Sequence, residues 1–573
     1  MRAFFYGLLI LFAFLFLTGC ERREPANLVF RNGVIYTVNE QQPLAEAVAV
    51  RADTIVFVGS NDDVDAWVGA DTRVIDLQGK ILTPGFIEGH GHMMGVGYNE
   101  LNIDLLGTTS FDEVVSLVKE AVAKAKPGQW IVGRGWHQDK WTVLPEQMVK
   151  GFPVHQKLSE VSPDNPVLLD HASGHAALAN ARAMELAGVN LLATEKISVT
   201  VPAGGEIIRD TDGNPTGLFN ETAVNLIESK IPARTAASDA QALELALQAC
   251  LRNGITSFHD AGATRESIEL FQSFQKEKKL NVRLYVMITG YDHLLMQEWF
   301  SRGPLIDSTH WLTIRSIKLN CDGALGSRGA WLLEPYSDRD HHVGMPTYPM
   351  DSVYTIAKKA LLRGFQVCAH AIGDRANHEV LNRYQRAFDE HGAATDHRFR
   401  MEHAQHLHPN DIPRFAALGV IPAMQAIHMA SDRPWAIDRL GKKRIEEGAY
   451  MWQTLLKTGV KIVNGTDAPV EPINPIPCFY ASVTRKTLKG EPEGGYEPRE
   501  KMTREQALRS YTIDAAFGAF EEDIKGSVQI GKLADFTVFT KDIMTISDEE
   551  ILTANVLMTV VGGKILYEQR VEK

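Results

Sequence analysis

The sequence predicts an α/β fold: a (β/α)8 TIM-like barrel carrying a small β-sandwich domain built from both termini. Three observations lead there. Apolar strand-like segments alternate with amphipathic helical ones through the centre of the chain, the pattern of a parallel sheet covered by helices. Eight such strands can be counted, and the first and last both end in charged or metal-binding side chains, which a closed barrel accommodates better than an open sheet. The two ends of the chain read instead as short strands with turn signals, and neither end holds enough of them to close a sheet alone.

At the N-terminus, Arg2 precedes an apolar run from Phe4 to Leu17 that ends in Leu17-Thr18-Gly19-Cys20. This reads as a signal peptide over residues 1–19. The run is about 14 residues long, short of the roughly 20 that a spanning helix needs, and an uncleaved membrane anchor is the alternative. The tetrad resembles the lipobox of bacterial lipoproteins, which implies lipidation of Cys20, a polar tether over 20–26 and attachment to a membrane of the cell envelope. Glu21 after the cysteine implies the periplasmic face of the outer membrane. Residues 27–83 and 526–573 hold strand candidates at 28–36, 47–51, 535–539 and 556–567, the last broken by Gly562-Gly563, and are expected to form one composite β-sandwich.

Residues 84–525 are the expected barrel. Its strands are placed at 81–92, 255–262, 282–289, 314–323, 365–374, 399–406, 420–425 and 460–467, separated by helices that include 237–253, 350–363, 376–391 and 445–458. The gap after the first strand is too long for one crossover. An insertion of about 105–235 is therefore expected over the C-terminal face, where it would shape a substrate pocket.

Composition narrows the function. Against 71 acidic residues stand 59 basic ones, a formal charge of −12, with no basic run fit to track a phosphate backbone, so nucleic acid is excluded as a partner. Beyond Cys20, the cysteines Cys250, Cys321, Cys368 and Cys478 are scattered without a CxxC pair, which argues against a zinc-thiolate cage. Cys321 and Cys368 fall in strand segments beside candidate ligands and are read as small buried hydrophobes.

Pro84-Gly-Phe-Ile-Glu-Gly-His90-Gly-His92 ends the first strand candidate. Alternate strand residues point the same way, so His90 and His92 can share one metal. Two histidines so spaced also arise by chance, but His370, His403 and Asp467 close three other strand candidates, and a barrel brings such ends to one face. Histidines with a carboxylate suit zinc or a similar divalent ion rather than calcium or magnesium. A metal lowers the pKa of water to about 7 while a carboxylate at its edge takes the proton, so metal-dependent hydrolysis of a small molecule follows.

At these residues the chain resembles the amidohydrolase superfamily, in particular the group containing N-substituted formamide deformylases. The resemblance spans nearly everything after the tether. It rests on Thr83 to His92, Gly135-Trp-His-Gln-Asp-Lys-Trp141, Ser173-Gly-His-Ala-Ala-Leu-Ala-Asn180, Lys318-Leu-Asn-Cys-Asp-Gly-Ala-Leu-Gly-Ser-Arg328, His370-Ala-Ile-Gly-Asp-Arg-Ala-Asn377, Arg400-Met-Glu-His-Ala-Gln405 and Gly465-Thr-Asp-Ala-Pro-Val-Glu471. It implies one or two divalent ions. His90 and His92 would hold one, His370 and His403 a second, with Asp467 as ligand and general base and a carboxylated Lys318 bridging. The alternative for Lys318 is a buried amine paired with Asp322. Glu88-Gly-His-Gly-His departs from the commoner Asp-Ser-His-x-His, though both metal histidines remain.

Pocket candidates are His175, Arg328 and Trp136, with Trp141 and His171 behind them; His341, His342, His406 and His408 are read as solvated. The implied reaction is hydrolysis of an amide-type C–N bond. Two alternatives stand beside it: a deaminase, and a metal-retaining envelope lipoprotein that binds without turnover. The acid nearest His370 in sequence is Asp374, which speaks against deamination, and the presence of Asp467 speaks against a pure binder. An oligomer is compatible with the sequence.

Overall fold

In the computed structural model the described residues are 24–138, 141–171, 176–189, 200–202, 205–391 and 396–569. Eight strands form the centre: β1 (Phe86–Gly91), β2 (Ile255–Ala263), β3 (Arg283–Thr289), β4 (Leu312–Asn320), β5 (Gln366–Ala371), β6 (Arg400–His403), β7 (Ile421–Met424) and β8 (Val463–Asn464). Each pairs in parallel with the next in sequence, from β1 through β8. They are buried almost end to end, which is why they read as continuous apolar runs rather than alternating ones.

Closure between β8 and β1 is not a strand ladder. The amide of Asp467 donates to His90 O at 2.8 Å, and the amide of Thr466 donates to Glu88 Oε1 at 2.7 Å. β8 is consequently only two residues long, shorter than the 460–467 expected, because the chain past Asn464 bonds to a side chain of β1 instead of extending the sheet.

Helices cover the outside. Ala236–Arg252 starts in a capping box between Thr235 and Ser238 and lays Leu243, Ala246 and Leu247 into the core that holds Phe86, Phe258 and Val286. Met350–Arg363 ends at Gly364, whose φ of +74° turns the chain into β5. A single helix over 445–458 is not what forms. One helix, Ala426–Gly448, kinks at Gly441, and a second, Trp452–Leu456, follows. Between them Gly448 passes so close to Leu407 O that an added Cβ would lie 2.2 Å from it, and the Tyr450 amide donates to Gln405 O, so this stretch is tied to the loop after β6.

Strands from both chain ends share one six-stranded sheet, in which Ile81–Pro84 pairs with Phe536–Phe539, and a four-stranded sheet is drawn from residues 28–76. Leu28, Phe30, Val48, Leu82, Phe536 and Val560 belong to one apolar cluster between them. Ile81–Pro84 runs almost directly into β1, so this sheet anchors the strand that carries His90. Between β1 and β2 the chain builds a separate six-stranded sheet, from Ile103–Asp104 to Pro215–Asn220, with its own apolar clusters.

Candidate metal centre

The strand ends deliver their side chains as parallel packing requires. His90 lies inside the barrel, while His92, one residue past β1, caps the following helix and keeps its side chain 39% exposed. The Nε2 atoms of His90 and His92 stand 3.6 and 3.2 Å from Asp467 Oδ1. The ring of His403 is 4.9 Å from that of His90 and 4.4 Å from that of His370. His403 and Asp467 hold φ of +73° and +60°, and Ala404 holds +41°. Non-glycine residues adopt such angles at a cost that the packing around them must offset.

Orienting partners decide which ring nitrogen faces the centre. His90 Nδ1–H donates to Glu402, which also accepts a two-pronged pair from Arg400 at 2.7 and 2.9 Å, and this leaves Nε2 of His90 unprotonated, facing Asp467 and Lys318. Gln425 orients His403 in the same way. Its NH2 donates to Ala423 O at 3.3 Å, turning Oε1 to accept from His403 Nδ1–H at 2.7 Å. Two lone-pair bearers facing each other at 3.6 Å, as His90 Nε2 and Asp467 Oδ1 do, are eased by the Lys318 amine beside His90 and would be bound together by a divalent cation. Asp467 Oδ1, His370 Nε2 and His428 Nε2 are all buried without a hydrogen-bond partner. The donor set is imidazole and carboxylate, and the residues therefore fit a zinc-type divalent ion.

Electrostatics agree. Burial, reinforced by Lys318, holds the His90 imidazole at about 4 and that of His370 at about 3, so both rings are neutral at pH 7. Burial opposes the charge on Asp467, yet His92, His90, His403 and His428 around it hold the carboxyl well below the usual range. Lys318 is buried with Nζ 3.2 Å from His90 Nε2, and burial lowers its ammonium. It is not paired with Asp322: that carboxylate accepts from the amides of Trp331, Ile372 and Gly373. Cys321 and Cys368 are buried free thiols raised by burial, as expected of small core residues.

Other expected residues fall elsewhere. Trp136 is a core residue of the inserted sheet and not a pocket wall: its indole N–H donates to Leu169 O at 2.8 Å and its ring packs on Trp141 and His171. Arg328 forks onto Asp338 at 3.0 and 2.7 Å in the loop after β4. His175 and Cys20 lie outside the described residues. His406, expected in solvent, is buried, because the loop after β6 is pinned under residues 448–450 and its ring comes 3.5 Å from Asp374.

His428 was not expected at all. It sits in the first turn of Ala426–Gly448, with Nε2 4.0 Å from Asp467 Oδ2. Ligand atoms of His90, His92 and Asp467 lie within 4.8 Å of one another, and so do those of His403, His428 and Asp467. The sequence offers only a weak signal for it: Gln425-Ala-Ile-His428 follows directly on the seventh strand, but His428 lies in a helix rather than at a strand end, so its role depends on what packs opposite.

A model of the amidohydrolase family matches residues 73–567. The chain belongs to that family. Similar proteins include Protein LONG AFTER FAR-RED 3 of Arabidopsis thaliana, 33% identical over 95% of this chain and 92% of that protein, and the N-substituted formamide deformylase of Arthrobacter pascens, 29% identical over 95% and 98%. Among solved amidohydrolase-like structures, an uncharacterised metal-dependent hydrolase of Pyrococcus furiosus matches with a TM-score of 0.71 and 25% identity, over 90% of this chain and all of that one. Family, fold and site together make this amidohydrolase a metal-dependent hydrolase.

Proposed function

We propose that the protein hydrolyses an amide-type C–N bond of a small molecule, at a centre where His90, His92, His370 and His403 hold zinc or a similar ion with Asp467. The approach of His90 and His92 Nε2 to Asp467 Oδ1, a buried oxygen with no hydrogen-bond partner, is the observation that carries this reading. A divalent ion there supplies a Lewis acid, which acidifies a water molecule and polarises the scissile carbonyl. Asp467, kept ionised by its neighbours, takes the proton of the attacking water and passes it to the leaving nitrogen. Glu402 and Gln425 keep the imidazoles in the ligating tautomer. Lys318, buried beside His90 Nε2 with its ammonium lowered by burial, would add carbon dioxide at its neutral amine and lose a proton to give an anionic carbamate ligand. The similarity to an N-substituted formamide deformylase supports the choice of bond.

Deamination has less support, because Asp374 turns its carboxylate to the amides of Leu333 and Arg375 and toward His406. The deciding experiment is metal analysis of purified protein, followed by assay of N-acyl amines and cyclic amides for carboxylate and for ammonia. Metal-dependent release of carboxylate, abolished in Asp467→Asn, is expected. Ammonia as the product, or full turnover after metal removal, would overturn the reading; a wild type without turnover whose ligand affinity is little changed in Asp467→Asn would indicate the binding lipoprotein.

We further propose that export and lipidation at Cys20 hold this activity at the cell envelope. Among the described residues no helix is long and apolar enough to cross a membrane. Cys20→Ser is expected to move the protein out of the membrane fraction, and a mature chain retaining residues 1–19 would contradict the proposal.

A further inference from the structure

We propose that His428 is a metal ligand, completing with His403 and Asp467 a second ion site that shares its carboxylate with the His90–His92 site. The inference rests on the metal-dependent reading above and goes beyond it by adding a ligand from a helix rather than a strand end.

Asp467 faces two ways. Oδ1 lies toward His90 and His92 at 3.6 and 3.2 Å, whereas Oδ2 lies 4.0 Å from His428 Nε2. A buried histidine serving only as packing finds partners for its ring nitrogens, but Nε2 of His428 is buried and has none. At 4.0 Å it is beyond a hydrogen bond with Asp467. Two donor atoms each about 2.1 Å from a tetrahedral ion stand roughly 3.4 Å apart, so the observed 4.0 Å asks for a shift of well under an ångström on binding.

The junction between β7 and the helix Ala426–Gly448 supplies the rest of the site. Gln425, at the cap of that helix, fixes the Nδ1–H tautomer of His403 and so leaves Nε2 of His403 unprotonated. One turn on, the same helix presents His428, its ring inclined 21° to that of His403 with centroids 6.1 Å apart. One short segment thus both orients one ligand and contributes another. Glu402 plays the orienting part for His90 on the opposite side of Asp467, giving two half-sites of like construction around one carboxylate.

The test uses the full-length protein stripped of metal and titrated with cobalt(II) alone, read by elemental analysis, chelator competition and the visible cobalt spectrum. Wild type is expected to take about two ions per chain, as two-metal hydrolases do. His428→Ala and the better volume match His428→Gln should each hold about one, with the weaker ion lost or bound at least tenfold less tightly and its share of the spectrum missing. Near-UV circular dichroism establishes that each variant is folded, and either folded variant suffices for the measurement. A wild type that binds one ion, or a folded variant that keeps both ions at unchanged affinity, overturns the proposal while leaving the single-ion hydrolase intact. A wild type that binds none removes the metal-dependent reading itself.

Discussion

Glu402 is the residue on which the centre depends most without being a ligand. Burial alone would raise its carboxyl, but Arg400 and His90 outweigh that and hold it at about 2, against an ordinary value of 4.5. A folded-state value below the unfolded one means that the ionised group stabilises the fold fully above pH 4.5, and that this contribution disappears as pH falls toward 2. In Glu402→Gln the amide can still accept from His90 Nδ1–H, but the charge that strengthens His90 as a ligand is gone and Arg400 is left buried without its anion. Metal affinity is expected to fall about 10–100-fold by chelator competition, the range for partners of ligating histidines. The stability gap between wild type and variant, measured on metal-free protein by urea titration, should narrow between pH 5 and pH 3; a constant gap would mean that Glu402 is not ionised in the fold. His90, His92, His370, His403 and Asp467 were legible in the sequence because a ligand-type residue at the end of an apolar run has one natural place in a barrel. Glu402, Gln425 and His428 were not, because their roles depend on which side chain lies opposite, across neighbouring strands or one turn into a helix.

At the scale of elements, the weak seam of the barrel is also its active edge. β8 touches β1 through only a few groups: Thr466 reaches Glu88 by its amide and by its hydroxyl, at 2.7 and 2.9 Å, and Asp467 reaches His90 O. Gly89 and Gly465 allow this approach. A Cβ on Gly89 would lie 2.3 Å from Asn464 O and 2.4 Å from Val463 Cγ1, and one on Gly465 would lie 2.3 Å from Glu88 Oε1. The glycine in Glu88-Gly-His is thus matched to the longer Glu88 arm and to the turn after β8, a structural reason for the unusual motif. Gly89→Ala must push backbone apart where Asp467 is set, at a cost of roughly 1–3 kcal/mol as for other overpacked cores. Melting temperature and turnover should fall together; unchanged turnover in the folded variant would show that the seam does not position Asp467. Three of the eight strand candidates, 255–262, 282–289 and 420–425, match their strands to within a residue because burial on both faces gives unbroken apolar runs, whereas 81–92 fuses Ile81–Pro84 of the terminal sheet with β1, and 314–323, 365–374 and 399–406 run about three residues past β4, β5 and β6. The eighth was overextended because Gly465-Thr466-Asp467 continues the pattern in sequence while its hydrogen bonds leave the ladder.

For the whole molecule, the sheet formed by the chain ends matters because it continues into the strand that carries His90. Asp535, at the start of the strand beside Ile81–Pro84, accepts from Arg283 Nε and Nη2 at 2.7 and 3.0 Å and from the Gly562 amide at 2.8 Å, while its carbonyl accepts from Gly85, one residue before β1. Arg283 opens β3 and stacks over Trp311. One buried ion pair therefore joins the terminal sheet, the base of β3 and the entry to β1. Removing a single member of such a pair leaves an uncompensated buried charge, and Asp535→Ala is expected to cost about 3–5 kcal/mol in denaturant unfolding. Replacing both partners by apolar residues, as in Arg283→Met with Asp535→Leu, should recover most of that loss, because the penalty lies in the unpaired guanidinium rather than in the absent attraction. Since neither residue faces the centre, metal affinity per folded molecule should stay at the wild-type level in both variants. A fall in affinity that persists in the stable double variant would instead mean that the Asp535–Arg283 pair sets the register of β1, and that the terminal sheet positions His90 as well as supporting the barrel.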